Sequence, residues 1–366
     1  MNHLNKMNIL AVPCGRATQY HISAGPIAAG NTPEVLAELA TFLAHANATL
    51  LSQTFFVPQE SCAQTEQLLR KVFHQVDWPV TWVTGERSRQ LAGMQAVAIA
   101  GLTVTRLQHN DRIVGSVFED DYARRCYLGN LLPTDLHRPS PAQAHELFAT
   151  IKQVLALAHM AFTDVIRTWF FLDDILSWYD DFNRTRDSFF AKQAVSRALL
   201  PASTGVGAGN PAGAALVANV VAVRPLTATH KICTVPSPLQ CHPGDYRSSF
   251  SRALELITAD RRELFISGTA SLDQAGATMY AGDPAMQIER TMTVVGEILA
   301  SRGMNWSNAI RAIAYFPRVQ DAALLQNYWR HHAPITVTPC RLCRDDLLFE
   351  LELDAAGPLA VAGDQP

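Results

Sequence analysis

The last strand-like stretch of the chain alternates apolar and acidic residues. In LLFELELDA (347–355) three apolar side chains alternate with three carboxylates, namely Phe349, Leu351 and Leu353 with Glu350, Glu352 and Asp354. A period of two predicts a strand that sends these two sets to opposite faces. Since the apolar set is expected to meet the core, the three acids must face either water or a second protein surface.

An order of predicted elements occurs three times along the chain, which indicates an internal repeat. Three strand-like segments define it: NATLLSQTFFVP (47–58), DVIRTWFFLDD (164–174) and NAIRAIAYFPR (308–318). Each follows a segment whose apolar residues are spaced by three and four, which is typical of an amphipathic helix with one buried face. These apolar positions are Leu36, Leu39 and Leu43; Leu147, Ile151 and Leu155; and Ile288, Met292, Val295 and Leu299.

Each repeat continues with a second helical stretch, a proline-led segment and a final strand. The helical stretches are CAQTEQLLRKVF, SWYDDFNRTRDSFF and DAALLQNYWRHH, and the final strands are GMQAVAIAG, AALVANVVAV and LLFELELDA. The prolines are Pro79, Pro201 and Pro334. Counting 16 or 17 residues onward from them reaches Ala96, Ala218 and Glu350, so only the third repeat is expected to carry an acid at this position.

We therefore predict an α+β fold with three similar modules in one chain, spanning 1–110, 111–229 and 230–366. Helices cover one face of each sheet, so the remaining sheet faces can be buried only against each other. The expected arrangement is a pseudo-trimer with helices outside and sheets inside, and Glu350 then lies at a surface between modules. The competing interpretation of the alternation is an exposed edge strand that carries acids for solubility.

Composition excludes several classes of function. The chain has 366 residues, of which 48% are apolar and 17% charged, and a formal net charge of −3. There is no basic excess to attract nucleic acid or an anionic membrane. The longest apolar run (212–223) is too short for a membrane span, and the N-terminal sequence lacks the apolar core of a signal peptide. Seven scattered cysteines suit a reducing compartment, so we expect a cytoplasmic protein.

Two short motifs are interpreted as structural. Cys340 and Cys343 form a single C-x-x-C, whereas a zinc site needs four ligands and a redox pair would open a helix. GVGAGNPAG (205–213) precedes a strand and offers no helix N-terminus to a pyrophosphate. We expect neither a metal nor a cofactor.

Several longer segments resemble known proteins. LFISGTASLD, QIERTMTVVGEILASRGM, AIRAIAYF and LLFELELDA resemble the reactive-intermediate deaminase (Rid/YjgF-like) superfamily, whose members are small homotrimers with ligand sites between subunits. RTWFFLDDILSWYDDFNRTRDSFF, LLPASTGVGAGNPAGAALVA, PSPLQC, YRSSFSRA and CRDDLLFELELDA are together similar to the chorismatases. The resemblance implies Rid-like (chorismate-mutase-like) modules and cofactor-free removal of the enolpyruvyl side chain of chorismate as pyruvate.

The resemblance also implies roles for two residues near the last strand. The catalytic acid of the family falls on Glu350, and a cysteine found in members that form hydroxybenzoate falls on Cys343. The chemistry requires a general acid that is still protonated near neutral pH, and a carboxyl buried beside other acids meets this need. We expect 3-hydroxybenzoate as the product of this protein. Some members of the family form 4-hydroxybenzoate as well. Glu352 is interpreted as a structural partner of Glu350.

The two carboxylates of chorismate call for cationic partners, and arginine suits them. Arg167 and Arg311 occupy matching mid-strand positions, although an ion pair with a nearby acid explains them equally well. Arg341 flanks the last strand, and Arg252 is expected to line the pocket. The remaining substrate-binding candidates are Tyr246, Ala253 and Gly268, of which the two small residues allow close approach of a ligand or tight packing of strands.

Three alternatives remain. The first is hydrolysis of chorismate to a dihydroxycyclohexadiene carboxylate, because Ala253 looks more like the hydrolytic members. The second is a Rid-type enamine/imine deaminase, although such enzymes carry an arginine just after the proline, whereas Pro334 is followed by ITVTPCR, in which Arg341 comes several residues too late. The third is a non-catalytic small-molecule-binding protein. Trp169, Phe170, Phe171, Trp178 and Tyr179 are predicted to belong to the core, and a chain with three modules of its own is expected to be a monomer or a weak dimer.

Overall fold

The computed structural model describes residues 7–27, 31–85, 93–227, 230–246, 248–329 and 335–359. Its first sheet has the order β1-β2-β5-β3-β4, and only β3 and β4 pair in parallel. The elements of this module are β1 (Asn8–Cys14), β2 (Ala17–Ala24), α1 (Thr32–Ala46), β3 (Ala48–Pro58), α2 (Cys62–Phe73), β4 (Val80–Gly85) and β5 (Gly93–Ala100).

The second sheet has the order β6-β7-β8-β11-β9-β10, and β9 and β10 are its parallel pair. Its elements are β6 (Thr105–His109), β7 (Arg112–Glu119), β8 (Ala123–Leu131), α3 (Ser140–Leu157), β9 (Val165–Leu172), α4 (Ile175–Lys192), β10 (Ala202–Gly207) and β11 (Leu216–Pro225). β6 pairs with β7, so both strands belong to this second sheet.

The third sheet has the order β12-β13-β14-β17-β15-β16, with β15 and β16 in parallel. Its elements are β12 (Lys231–Val235), β13 (Ala253–Ile257), β14 (Arg262–Ala270), α5 (Pro284–Ala300), β15 (Ala309–Phe316), β16 (Ile335–Pro339) and β17 (Glu350–Gly357). In place of the second helix predicted for this module, Val319–Asn327 forms a 3₁₀ segment. Pro334, from which the third repeat was counted, lies outside the described residues.

Local sequence accounts for the bounds of the helices. α5 begins at Pro284, and the Asp283 side chain accepts a hydrogen bond of 3.1 Å from the backbone N–H of Met286. Proline in the first turn and an acidic cap are typical starts of a helix. α1 also has a proline in its first turn, and it ends at Asn47 in the left-handed conformation.

The three modules share one architecture, as predicted. In each module, the strand that follows the first helix pairs with two others. On one side it pairs with the final strand of the module, and on the other side it pairs in parallel with the strand at the sheet edge. The helices pack on the outer faces, and the inner faces meet in two apolar clusters to which all three modules contribute. Phe56, Phe171 and Tyr315 occupy matching places in the cluster nearest to β17, so the prediction of a three-module α+β fold is confirmed.

Strand register corrects the positions that were matched by counting. Glu350 pairs with Tyr315, and the residues that pair with the matching Phe171 and Phe56 are Val217 and Gly93. Ala218 and Ala96 face the helices instead. A shift of one residue turns a strand position to the opposite face, so the alanines were not the true counterparts of Glu350. At the correct positions the third module again carries the only acid.

All three carboxylates of β17 are buried between modules. Glu350 is 5% exposed, Glu352 is fully buried and Asp354 is 4% exposed. The acids of the alternating strand therefore face a second protein surface and not water.

Candidate active site

A cavity of about 210 Å³ lies between the second and third modules, next to Glu350. The second module contributes side chains of α4 and β10, which are Tyr179, Asp180, Asn183, Arg186, Ser203 and Gly205. The third module contributes the remaining lining residues, which are Tyr246, Ser248, Phe250, Arg252, Gly268, Ala270, Leu272, Cys343, Arg344, Leu347 and Glu350. Neither module alone could enclose this space.

A β-bulge shapes the cavity beside Glu350. The register between β14 and β17 shifts between Ile266 and Thr269, which leaves Ser267 and Gly268 outside the regular ladder. The N–H of Gly268 donates to Thr204 Oγ1 at 3.1 Å, and Ser267 Oγ accepts from the N–H of Ser203 at 2.9 Å. Both partners lie on β10, so the bulge joins the two modules at the cavity wall.

Gly268 leaves the space that the Glu350 side chain occupies. A Cβ atom at position 268 would lie 3.0 Å from Glu350 Cδ and would overlap Oε1. A larger residue at 268 would therefore displace the carboxyl. The glycine therefore acts on the position of the acid, a role beyond the two expected from its small size, which are close approach of a ligand and tight packing of strands.

Glu350 lies in surroundings that favour its protonated form. Burial, followed by the negative charge of Glu352, raises the pKa of Glu350 from 4.5 to about 8, and Arg167 and Arg252 oppose the rise only in part. The carboxyl therefore holds its proton at neutral pH and can donate it into the cavity. A raised carboxyl pKa in a cleft is typical of a general acid.

The two acids that follow on β17 have their own cationic partners. Arg167 Nη2 lies 3.0 Å from Glu352 Oε2, Arg311 contacts Glu352 Oε1, and Arg311 Nη1 lies 2.6 Å from Asp354 Oδ2. Trp169 Nε1 also donates to Glu352 Oε1 at 2.8 Å. Burial acts to raise the pKa of Glu352, but Arg311 and Arg167 lower it below its ordinary value, so Glu352 stays ionised.

Two buried arginines of the cavity have unused hydrogen-bonding capacity. Arg252 is 3% exposed; its Nε donates to the Cys241 carbonyl at 3.1 Å, and its Nη2 has no partner within the described residues. Arg186 is 2% exposed; its Nη2 donates to Asn183 Oδ1 at 2.8 Å, and its Nε has no partner within the same set. Buried guanidinium groups with open donors are suited to binding an anionic ligand.

Tyrosine rings line the cavity beside these cations. The guanidinium carbons of Arg252 and Arg344 lie 5.4 Å and 5.7 Å from the centre of the Tyr246 ring. Burial raises the pKa of Tyr246 to about 12 and also raises the pKa of Tyr179, so both phenols remain neutral. Arg344 Nη1 donates to the Gly276 carbonyl at 2.7 Å, which fixes its position at the rim.

Cys343 presents a neutral thiol to the cavity. Burial and, next, the charge of Glu350 raise the pKa of Cys343 to about 12. Since the thiolate is the nucleophilic form, this residue is not suited to nucleophilic catalysis. It acts as a small apolar part of the wall.

The structure brings together five of the nine predicted site residues, which are Glu350, Cys343, Tyr246, Arg252 and Gly268. Ala253 lies on β13 in the core under α5 and does not line the cavity. Arg341 is exposed and pairs with Gly207 through backbone hydrogen bonds of 2.7 and 3.0 Å.

Arg167 and Arg311 also do not line the cavity beside Glu350. Both form the ion pairs with Glu352 and Asp354, which is the alternative that the sequence left open. Arg311 instead borders a smaller cavity of about 80 Å³ between the three sheets.

The contribution of α4 was not predicted. Tyr179, Asn183 and Arg186 lie at spacings of four and three, so they form a polar stripe beside the apolar residues Trp178 and Phe182. Tyr179 had been assigned to the core. Polar residues at helical spacing on an otherwise buried face were the signal that could have found this stripe.

Within the described residues, no group of three or more His, Cys, Asp or Glu side chains is arranged to hold a metal ion. In that part of the chain there is also no helix with the length and apolar character needed to cross a membrane.

Comparisons with known proteins give one sequence relative and several similar structures. No family model matches the chain. The 2-iminobutanoate/2-iminopropanoate deaminase of Bos taurus is 24% identical over 71 residues, so 19% of this chain matches about half (52%) of that protein. A putative endoribonuclease L-PSP from Entamoeba histolytica has 18% identity and a TM-score of 0.29 and covers 34% of this chain and 98% of its own.

A crystal structure of a chorismatase matches almost the whole chain. It superposes with a TM-score of 0.64 at 17% sequence identity, and the match covers 84% of this chain and 93% of that one. The resemblance noted in the sequence thus extends to the three-dimensional structure. The chain has the fold of that chorismatase.

Proposed function

We propose that the protein is a chorismatase, which removes the enolpyruvyl side chain of chorismate as pyruvate. One observation carries the proposal: Glu350, buried and with its pKa raised to about 8, faces a cavity lined by two buried arginines with open donors. This combination offers a proton donor and two anion-binding groups to one small molecule. The fold shared with a chorismatase supports the same assignment.

Protonation by Glu350 is the first step of the proposed reaction. The Glu350 carboxyl gives its proton to the terminal methylene of the enol ether, and the π electrons of that double bond form the new C–H bond. The positive charge is then shared between the ether carbon and the ether oxygen. Cleavage of the bond between that oxygen and the ring releases pyruvate, and Glu350 is left as a carboxylate.

The next step decides the product. If the neighbouring ring hydroxyl attacks the ring carbon as pyruvate leaves, its proton returns to Glu350. Opening of the resulting three-membered ring, with loss of a ring proton, then gives a hydroxybenzoate. If water adds instead, the product is the dihydroxycyclohexadiene carboxylate. The first route consumes no water, whereas the second consumes one molecule.

The two carboxylates of chorismate are assigned to Arg252 and Arg186. Arg252 lies on the third module beside Tyr246, and Arg186 lies on α4 of the second module, so the substrate would join the two modules. Bidentate contact with a carboxylate would use the donors that have no partner at present. Arg167 and Arg311 are not assigned to substrate, because Glu352 and Asp354 already occupy them.

Release of pyruvate from chorismate tests the proposal directly. We expect the wild-type protein to release pyruvate and Glu350→Gln to lose at least about a hundredfold in kcat, which is the lower range for general acid catalysis. Glu255→Gln is a matched control, because Glu255 is also a buried glutamate of the third sheet but pairs with Arg262 and Arg302. Ammonia release from an imine, without pyruvate release from chorismate, would favour the deaminase alternative.

For the product we propose 3-hydroxybenzoate, with 4-hydroxybenzoate as a minor product. Cys343 lines the cavity beside Glu350 as a neutral, partly buried thiol and so favours the exclusion of water. Ala253, the residue that resembles the hydrolytic members, does not line the cavity and carries less weight. Cys343→Ala is expected to divert part of the product to the diene, as measured by chromatography. If the wild type forms only the diene, the product assignment fails and the hydrolase alternative holds.

A further inference from the structure

The two arginines behind Glu350 are both bound to other carboxylates. Arg167 contacts Glu352 at 3.0 Å and lies 3.7 Å from Asp354, and Arg311 contacts the same two acids. The formal charges of these four side chains sum to zero. We call Arg167, Arg311, Glu352 and Asp354 the charge quartet.

The quartet is buried and held from all three modules. Its four side chains are between 0% and 8% exposed. Arg167 belongs to the second module, the other three belong to the third, and Gln95 of the first module accepts a hydrogen bond of 3.0 Å from Arg311 Nε. The Trp169 ring lies 4.7 Å and 4.9 Å from the two guanidinium carbons and limits their movement.

Arg167 retains hydrogen-bonding capacity that Glu350 would use. Its Nε and Nη1 atoms have no hydrogen-bond partner within the described residues. Its charge acts on Glu350, the acid two positions before Glu352 on the same face of β17. Without Glu352, Arg167 would keep Asp354, 3.7 Å from its Nε, and its open donors would be available to Glu350. A carboxylate beside a free guanidinium loses its proton more easily.

We infer that the charge quartet keeps Arg167 from pairing with Glu350, so that the Glu350 carboxyl remains protonated and available as the acid. Arg311 takes part as the second partner of Glu352 and Asp354. Glu352 is in this sense a positioning residue: it acts through Glu350 and does not touch the reacting atoms. The inference rests on the proposed function for its catalytic meaning. Its electrostatic content concerns Glu350 alone and can be measured without a substrate.

Other groups around Glu350 would not produce the same effect. Arg252, the remaining cation that acts on Glu350, is held by the Cys241 carbonyl and the rings of Tyr246 and Phe250. Cys340, Cys343 and Tyr179 interact with Glu350, but burial raises the pKa of each, so all three are neutral near pH 8. Burial is the largest cause of the raised pKa of Glu350, and Glu352 and Arg167 are the charges that adjust this pKa.

The pH profile separates this role from a packing role. In Glu352→Gln, the quartet gains a net positive charge, which lowers the pKa of Glu350. The basic limb of the kcat/KM profile should therefore move to lower pH by about one unit or more. At a pH above the limbs of both proteins, kcat/KM of the variant should then be about tenfold below that of the wild type. Near pH 6 the rate should stay within a few-fold of the wild type. Arg311→Gln leaves a net negative charge and should move the limb upward, and the double variant should bring it back. Glu255→Gln should leave it unchanged.

A spectroscopic titration keeps the outcomes distinct. The infrared C=O band of the protonated Glu350 carboxyl, identified as the band missing from Glu350→Gln, can be followed against pH without chorismate. We expect this band to disappear at lower pH in Glu352→Gln and at higher pH in Arg311→Gln.

An unchanged titration with a lower rate at every pH would overturn the inference and leave Glu352 a packing residue. If the wild type releases no pyruvate, the proposed function fails, yet the band still decides the role of the quartet. Should Glu352→Gln not fold, Arg311→Gln and the charge-neutral double variant give the same test.

Discussion

At the scale of single residues, the raised pKa of Glu350 lowers the stability of the protein at alkaline pH. Its pKa is about 8 in the folded protein, against an ordinary value of 4.5. Between these values the folded state holds a proton that the unfolded state has lost. The free energy of unfolding therefore falls as pH rises through this window and levels off above it. A carboxyl kept protonated by burial thus weakens the fold at alkaline pH.

Glu350→Gln should be more stable than the wild type at pH 8.5 and about equally stable at pH 4. Glutamine keeps the size of the side chain and has no proton to lose, so we expect a gain of roughly 1 to 3 kcal/mol in the free energy of unfolding at the higher pH. Denaturant unfolding at the two pH values measures this. Glu255→Gln, which breaks ion pairs, should lose stability near neutral pH. A stability difference between Glu350→Gln and the wild type that does not change with pH would contradict the assigned pKa.

The pattern of residues in the sequence predicted the position of Glu350 better than the binding partners of the mid-strand arginines. The strict alternation marked Glu350 because period two fixes which side chains share a face. An arginine in the middle of a strand must find a negative partner, but the sequence does not say whether that partner is a substrate or a protein carboxylate. The register decides: Arg311 pairs directly with Asp354 across β15 and β17, which places charge against charge inside the protein.

At the scale of elements, the three repeats were predictable and their exact alignment was not. Helical and strand periods identified α1 to α5 and the strands beside them. Counting from prolines failed because Gly93 lies 14 residues after Pro79, whereas Val217 lies 16 residues after Pro201. Bulges such as the one in the β3–β5 pair also change the count, and they depend on pairing that the local sequence does not reveal.

The polar stripe of α4 leads to a prediction on substrate binding. Arg186→Met should raise KM for chorismate by about tenfold or more, with a smaller effect on kcat, because a charge-assisted bond to one carboxylate is lost. Arg186→Lys should recover only part of the loss, since an ammonium lacks the planar fork. Steady-state kinetics with chorismate measures both effects.

Arg184→Met is the matched control on the same helix. Arg184 is exposed and pairs with Asp181 on the outer side of α4, away from the cavity. Kinetic constants close to those of the wild type are expected for it. Equal losses in both variants would mean that α4 is sensitive to any substitution, and the assignment of Arg186 to a substrate carboxylate would then fail.

At the scale of the whole molecule, the three modules of one chain cover each other's inner sheet faces. Two inner apolar clusters take residues from all three sheets, so each inner sheet face is covered by its neighbours. Buried ion pairs reinforce this contact: Arg125 of the second module lies 2.7 Å from Glu263 of the third, and Arg167 lies 3.0 Å from Glu352. The inner sheet faces are thus buried within one chain. The monomer or weak dimer expected from the sequence stays a prediction, which size-exclusion chromatography can check.

This arrangement predicts that the chain can be divided without loss of the site. The cavity needs α4 and β10 from the second module and β17 from the third, and the chain passes between these modules after β11, which ends at Pro225, and before β12, which begins at Lys231. Leu226 in this segment is 51% exposed. Co-expressed fragments 1–227 and 228–366 should therefore associate through the inner clusters and release pyruvate within about tenfold of the intact chain, since a cut close to the exposed Leu226 removes few contacts. Each fragment alone should be inactive, because each lacks part of the cavity wall. Glu263→Gln in the second fragment removes the ion pair that Arg125 makes with the third module, while Arg125 keeps Asp120 at 2.7 Å in its own module. Recovery of the complex should fall, because a buried ion pair across the cut is lost. Turnover by fragment 228–366 alone would show that the third module forms its own site, and the role assigned to α4 would be wrong.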